Sequence, residues 1–175
     1  MPQWAKIQGA LGLSLKKWAQ LDSPSAVVVE PFFDKPEKLK SMIDVFVLMP
    51  FTEKLKPVWE YHIKKVINSL GLIAKRADDF FTAHAVMKDV WNAICGSRVI
   101  IADCTGRNPN VFYEIGVAHT KGVPVILTTQ DASDVPFDLH HIRYIEYEYT
   151  PPGMRVYESS LAATLKSIID KMDEN

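Results

Sequence analysis

The stretch Arg98 to Leu127, RVIIADCTGRNPNVFYEIGVAHTKGVPVIL, holds two continuous apolar runs separated by an amphipathic helical pattern. Apolar runs without alternation mark strands covered on both faces, so strand, helix and strand in this order predict a unit of a parallel sheet. The connecting turn carries its own signals. Asp103 ends the first run, Gly106 supplies turn flexibility, Asn108 suits a helix N-cap and Pro109 suits the first helical position. A helix starting there offers backbone N–H groups and the positive end of its dipole to a phosphate or other anion. On this helix Asn110 and Glu114 lie four apart on one face that continues to Ala118, while Val111, Phe112 and Ile115 lean toward the sheet. Glu114 is therefore expected on the ligand side, partly desolvated. The competing reading is an exposed helix glutamate, or one bonded to a backbone amide.

Outward from this unit the same alternation repeats. From Ile43 onward, β-branched runs (DVFVLM, LIAKRA, RVIIAD, VPVILT, IRYIEY) alternate with helical patterns, the last from about Val156 to Met172. The expected fold class is α/β: a flavodoxin-like, doubly wound, mainly parallel five-stranded sheet with helices on both faces. The runs at Val45 to Met49, Val99 to Ala102 and Val123 to Leu127 are expected to be central. In such sheets ligands bind beyond the carboxyl ends of the strands near the switch in strand order, which selects the loops starting at Pro50, Asp78 and Asp103. Residues 1–43 read as an N-terminal arm (an amphipathic segment with Trp4 and Trp18, a candidate extra strand at Ala26 to Glu30, a linker), either packed on the domain of residues 44–175 or docking onto a partner.

Composition bounds the function. The 175 residues, 47% of them hydrophobic, are enough for one core. Lysine plus arginine number 20 against 21 acids, so no global field draws the chain to a nucleic acid polymer or an anionic membrane. A small ligand is the expected partner. Cys95 and Cys104 lack metal-type spacing and read as reduced, buried thiols of a cytoplasmic protein. The Asp138 to His141 run lacks the partners of a metal site, and no cofactor or metal is implied. No apolar run reaches the ~20 residues of a membrane span, and no signal peptide is evident.

The segment IIADCTGRNPNVFYEIGVAHTKGVPVIL resembles that of nucleoside 2-deoxyribosyltransferase-like proteins: a strand ending in Asp, an Asn-rich turn, a Tyr-Glu-hydrophobic-Gly-x-Ala helix and a Gly-x-Pro-Val strand. VFVLMPF (Val45 to Phe51), KRADD (Lys75 to Asp79) and MKDVWNAICGSRVIIAD (Met87 to Asp103) resemble its first strand and loop, second strand end and acid-bearing helix. VPFDLHHIRYIEY (Val135 to Tyr147) is similar to the last loop and strand of a bacterial branch grouped with TIR-like domains. The resemblance covers about Asp44 to Tyr149. It implies that Glu114 attacks the anomeric carbon of a nucleoside sugar, that Asp89 bonds the base or assists its departure, and that Asp103 caps the turn or bonds the sugar hydroxyls. A carboxylate suits this chemistry on its own terms, because glycosidic cleavage passes through an oxocarbenium-like state that it stabilises or captures. Arg98 departs from the pattern, standing where many members have an Asp.

The candidate catalytic residues are thus Glu114, Asp89 and Asp103, and the candidate binding residues are Met49, Pro50, Phe51, Arg76, Asp78, Gly106, Asn108, Asn110 and Tyr113. Phe51 reads as a wall for a planar base or as a hydrophobic staple. Arg76 reads as a phosphate ligand or as a partner of Asp78 or Asp79. His119, five residues after Glu114, faces elsewhere on the helix and reads as structural. The expected activity is N-glycosidic cleavage or glycosyl transfer on a nucleoside, nucleotide or NAD-type ligand. The alternative is a non-catalytic, nucleotide-sensing, TIR-like assembly module. A homo-oligomer is expected in either case. A phospho-receiver is disfavoured because LMPF replaces the acidic pair that magnesium needs, and a Rossmann dehydrogenase because no Gly-rich fingerprint follows the first strand.

Overall fold

The computed structural model describes Phe32, Phe33, Lys35, Pro36 and residues 43–77 and 86–174. The chain divides into two units, Met1–Lys35 and Pro36–Asn175. In the first, the Phe32 and Phe33 rings meet edge to face with centroids 5.7 Å apart. The helix and strand expected within residues 1–31 lie outside the described residues, as does the Asp78 loop.

In the second unit the elements run β1 (Val45–Leu48), helix α1 (Val58–Ser69), β2 (Ala74–Arg76), α2 (Val86–Gly96), β3 (Val99–Asp103), α3 (Pro109–Lys121), β4 (Val125–Thr129), β5 (Tyr144–Glu146) and α4 (Pro151–Asp173). The five strands form one sheet in the order β2-β1-β3-β4-β5, every neighbouring pair parallel. This is the doubly wound arrangement expected, with the switch in strand order between β1 and β3.

The alternation of side chains along each strand sends one set to each face. Val45, Val47, Val99 and Ile101 pack against α1 and α4, meeting Val58, Ile63, Tyr157, Leu161 and Leu165. Phe46, Leu48, Ile100, Ala102 and Leu127 pack against α2 and α3, meeting Ala93, Ile94, Val111, Ile115 and Ala118. Burying both faces explains why β1 and β3 read as unbroken apolar runs: every residue of either strand is buried. Each large aliphatic side chain so buried contributes ~1.5–3 kcal/mol.

Two boundaries differ from the sequence reading, each for a local reason. β4 starts at Val125 rather than Val123, because Gly122, in the left-handed region at φ 79°, closes α3 and Val123 N–H donates back to the Ala118 carbonyl at 3.0 Å. α4 starts at Pro151, five residues before Val156: its two prolines occupy the first helical positions, where no N–H is needed, and Thr150 caps the end. The first half of α1, Val58–Ile63, is π-helical and runs into the α-helical Lys64–Ser69. Among the described residues, no helix is long and apolar enough to cross a membrane.

Candidate active site

Beyond the carboxyl ends of β1 and β3, on the face covered by α2 and α3, lies a cavity of ≈ 190 Å³. Leu48, Met49, Pro50 and Phe51 supply one wall, Met87 and Val90 of α2 a second, and Asn108, Asn110, Tyr113 and Glu114 a third. This is the position that the switch-point rule selects. The turn that delivers the third wall is fixed locally. Asn108 accepts the Asn110 N–H through its side chain at 2.9 Å, Pro109 sits at the first helical position, and Gly106 and Arg107 both adopt left-handed φ, 77° and 54°. Arg107, without glycine's freedom, is held there by a bond to the Ser133 carbonyl and an ion pair with Asp134 at 3.5 Å.

Glu114 is half-buried in the cavity wall with no hydrogen-bond or ion-pair partner among the described residues. Burial alone pushes its carboxyl from 4.5 up to about 7. A carboxyl of this kind is half ionised near neutrality, and none of the described residues competes for its oxygens. Ala118, expected to continue the face of Asn110 and Glu114, is fully buried in the α2 and α3 core. Glu114 thus sits where the helix rotates from cleft to core, which accounts for its partial desolvation.

Asp103 occupies a different environment. It is fully buried and does not line the cavity. Its Oδ1 accepts the Thr105 N–H at 2.9 Å and its Oδ2 accepts the Tyr147 hydroxyl at 2.6 Å. Gln130 donates to that hydroxyl at 3.2 Å, and its own N–H donates to Thr105 Oγ1 at 3.0 Å. Burial raises the Asp103 carboxyl above the usual range while these donors pull it back. Asp103 caps the turn that follows β3.

The remaining candidates separate in the same way. Met49, Pro50, Phe51, Asn108, Asn110 and Tyr113 line the cavity with Glu114. Asp89, on α2 between Met87 and Val90, is half-exposed and outside the lining. Arg76 is buried behind the β1 loop, its guanidinium 5.4 Å from the Phe51 ring centre and 5.6 Å from that of Trp59, and it holds Phe51 from the rear. Asp78 lies outside the described residues. Gly106 lines a neighbouring groove, which shares Pro50 and Asn108 with the cavity, and its N–H is given to Asp134 at 2.7 Å. The anion-binding helix start expected from the sequence is thereby largely spent: Gly106 and Asn110 have donated their N–H groups and Pro109 has none. Arg98 sits at the opposite, amino edge of the sheet, paired with Asp44 and Asp173. Sequence reasoning missed Met87, Val90, Tyr147 and Gln130. All four come from other elements, and no local spacing announces them.

Against models of protein families and against curated proteins, the sequence matches nothing. Solved structures do match. The TIR domain of a Toll-related receptor from Hydra magnipapillata superposes with a TM-score of 0.56 at 15% identity, covering 71% of this chain and 99% of that one. The 2-deoxyribosyltransferase of Leishmania mexicana gives 0.52 at 12% identity, covering 67% and 97%. That of Bacillus psychrosaccharolyticus gives 0.52 at 17% identity, covering 70% and 95%. The fold is that of 2-deoxyribosyltransferases and TIR domains. Within this fold, Glu114 stands one turn into the helix after β3, at the carboxyl edge beside the switch point.

Proposed function

We propose that the chain cleaves the N-glycosidic bond of a nucleoside or nucleotide, with Glu114 as nucleophile. The observation that carries this reading is a desolvated carboxylate, unpartnered among the described residues, in the wall of the switch-point cavity that Phe51 also lines. The kinship of fold with 2-deoxyribosyltransferases supports the substrate class. In the proposed reaction a Glu114 oxygen attacks the anomeric carbon. The C–N bond breaks, and its electron pair leaves with the base, which takes up a proton from solvent. Water or a second base then displaces the ester from the sugar and frees Glu114. The exposed ring of Phe51, backed by Arg76, provides a flat surface for the base. Asp89, outside the lining, is left out of the attack and would act on the departing base only from the flank of α2. Asp103 acts through the turn it fixes.

The test is incubation of the protein with a panel of nucleosides, deoxynucleotides and NAD, with free base followed by chromatography. Base released by the wild type and not by Glu114→Gln is the expected result. Saturable binding without any release, coupled to ligand-driven self-association, replaces catalysis with a sensing and assembly role. The same reading carries a homo-oligomer, and a monomer by light scattering with and without ligand would remove that part.

A further inference from the structure

On the other face of the sheet, α1 and α4 border a second, open cavity of ≈ 370 Å³. It is lined by His62 and Lys65 of α1, Tyr149 of the preceding loop, and Met154, Arg155 and Glu158 of α4. The Glu158 carboxylate bridges the two helices, accepting from His62 Nδ1 at 2.6 Å and from Lys65 Nζ at 2.8 Å. Although burial raises it, the bonds from Lys65 and His62 hold this carboxyl below its ordinary range. A carboxylate can only accept, so Nδ1 carries the hydrogen and the Nε2 edge of His62 is left without a partner among the described residues. The Tyr149 ring meets the imidazole edge to face, centroids 6.0 Å apart.

Two further observations distinguish this pocket from an ordinary interhelix ion pair. His62 lies within the π-helical turn Val58–Ile63, a geometry that re-aims side chains and recurs at functional sites. Arg155, one turn before Glu158, is exposed with no partner among the described residues. The lining therefore holds two full cations, Lys65 and Arg155, against one carboxylate, before any charge on His62. The end of α4 adds nothing to this, since Pro151 and Pro152 have no N–H, and those of Gly153 and Met154 go to Thr150. The excess positive charge belongs to side chains from two helices.

We propose that this pocket is a second ligand site, separate from the Glu114 cavity, for a small oxyanion carried on a planar or apolar group. Arg155 and Lys65 take the anion, the His62 ring borders it, and Tyr149 and Met154 flank the remainder of the ligand. An incoming anion competes with Glu158 for Lys65, so the native carboxylate occupies part of the ligand's place.

Calorimetry on the full chain with phenyl phosphate as probe, backed by the NMR signals of the His62 ring, tests this. Binding of one equivalent with a shift of the His62 resonances is expected. Arg155→Ala should weaken it roughly tenfold or more, the loss of one charge-assisted contact. Glu158→Gln should tighten it, because Lys65 and His62 are released. Glu114→Gln, in the other cavity, should leave it unchanged. Benzoate and inorganic phosphate as parallel probes separate a carboxylate ligand from a phosphate one, and either arm upholds the site if it shows the same dependence on Arg155. Equal affinity in wild type, Arg155→Ala and Glu158→Gln overturns the proposal. So does an absence of binding, or a loss confined to Glu114→Gln.

Discussion

Glu114 and Asp103 come from one short segment, separated only by the turn that connects β3 to α3, and burial pushes both carboxyls upward. Their surroundings make them opposites. Asp103 is fully enclosed, and its oxygens are taken by Thr105 N–H and the Tyr147 hydroxyl. Glu114 is half-buried at an open cavity with no bonding partner among the described residues. Desolvation alone does not make a site. A desolvated carboxylate with donors around it is a structural fixture, while one without donors, next to space for a ligand, is the one the proposed reaction uses.

The largest expected effect tests the Glu114 half of this contrast. Glu114→Gln keeps the shape of the side chain and removes its charge, so turnover should fall by ~10²–10⁴, or ~3–5 kcal/mol of transition-state stabilisation. Circular dichroism and the urea midpoint should show a folded protein. Retention of the wild-type rate would make the two carboxylates alike in being non-catalytic.

Asp103→Ala should do the reverse and strike the fold first. It leaves the Tyr147 hydroxyl and the Thr105 N–H buried without an acceptor, at about 2–4 kcal/mol of stability measured by urea unfolding. Tyr147→Phe removes one of these bonds and should cost about 1 kcal/mol. A fully stable Asp103→Ala protein that has lost only its activity would place Asp103 with Glu114 after all.

Phe51→Ala sharpens the picture on the ligand side. Removing the exposed ring that Arg76 backs should weaken nucleotide binding by ~1–2 kcal/mol by calorimetry, with stability nearly unchanged. Equal affinity would move the base off this wall.

The pH dependence is a subtler discriminator. Because the folded state raises Glu114 from 4.5 to about 7, it favours the protonated form. Its stabilising contribution is therefore full below pH 4.5 and is lost as pH rises through about 7. Glu114→Gln should flatten this part of the stability profile relative to the wild type, while the rate, needing the carboxylate, should climb over the same interval. Parallel profiles in the two proteins would show that Glu114 titrates as an ordinary surface glutamate.

The sequence by itself determined the class of fold, because unbroken apolar strands alternating with amphipathic helices leave few ways to cover both faces of a sheet, and the parallel β2-β1-β3-β4-β5 order is one of them. It also determined the turn at Asn108 and Pro109 and the placement of Glu114 on α3, since caps and helix faces depend on residues within one or two turns. It placed the start of α4 at about Val156, whereas the helix begins at Pro151. Only the tertiary structure decided which carboxylate is spent. Tyr147 reaches Asp103 from 44 residues away, the Arg76 guanidinium lies against the Phe51 ring, and Asp134 consumes the Gly106 N–H. These partners meet because the strand order brings distant loops to one edge of the sheet, and hydrogen bonds and desolvation act over ångströms in space without regard to distance along the chain.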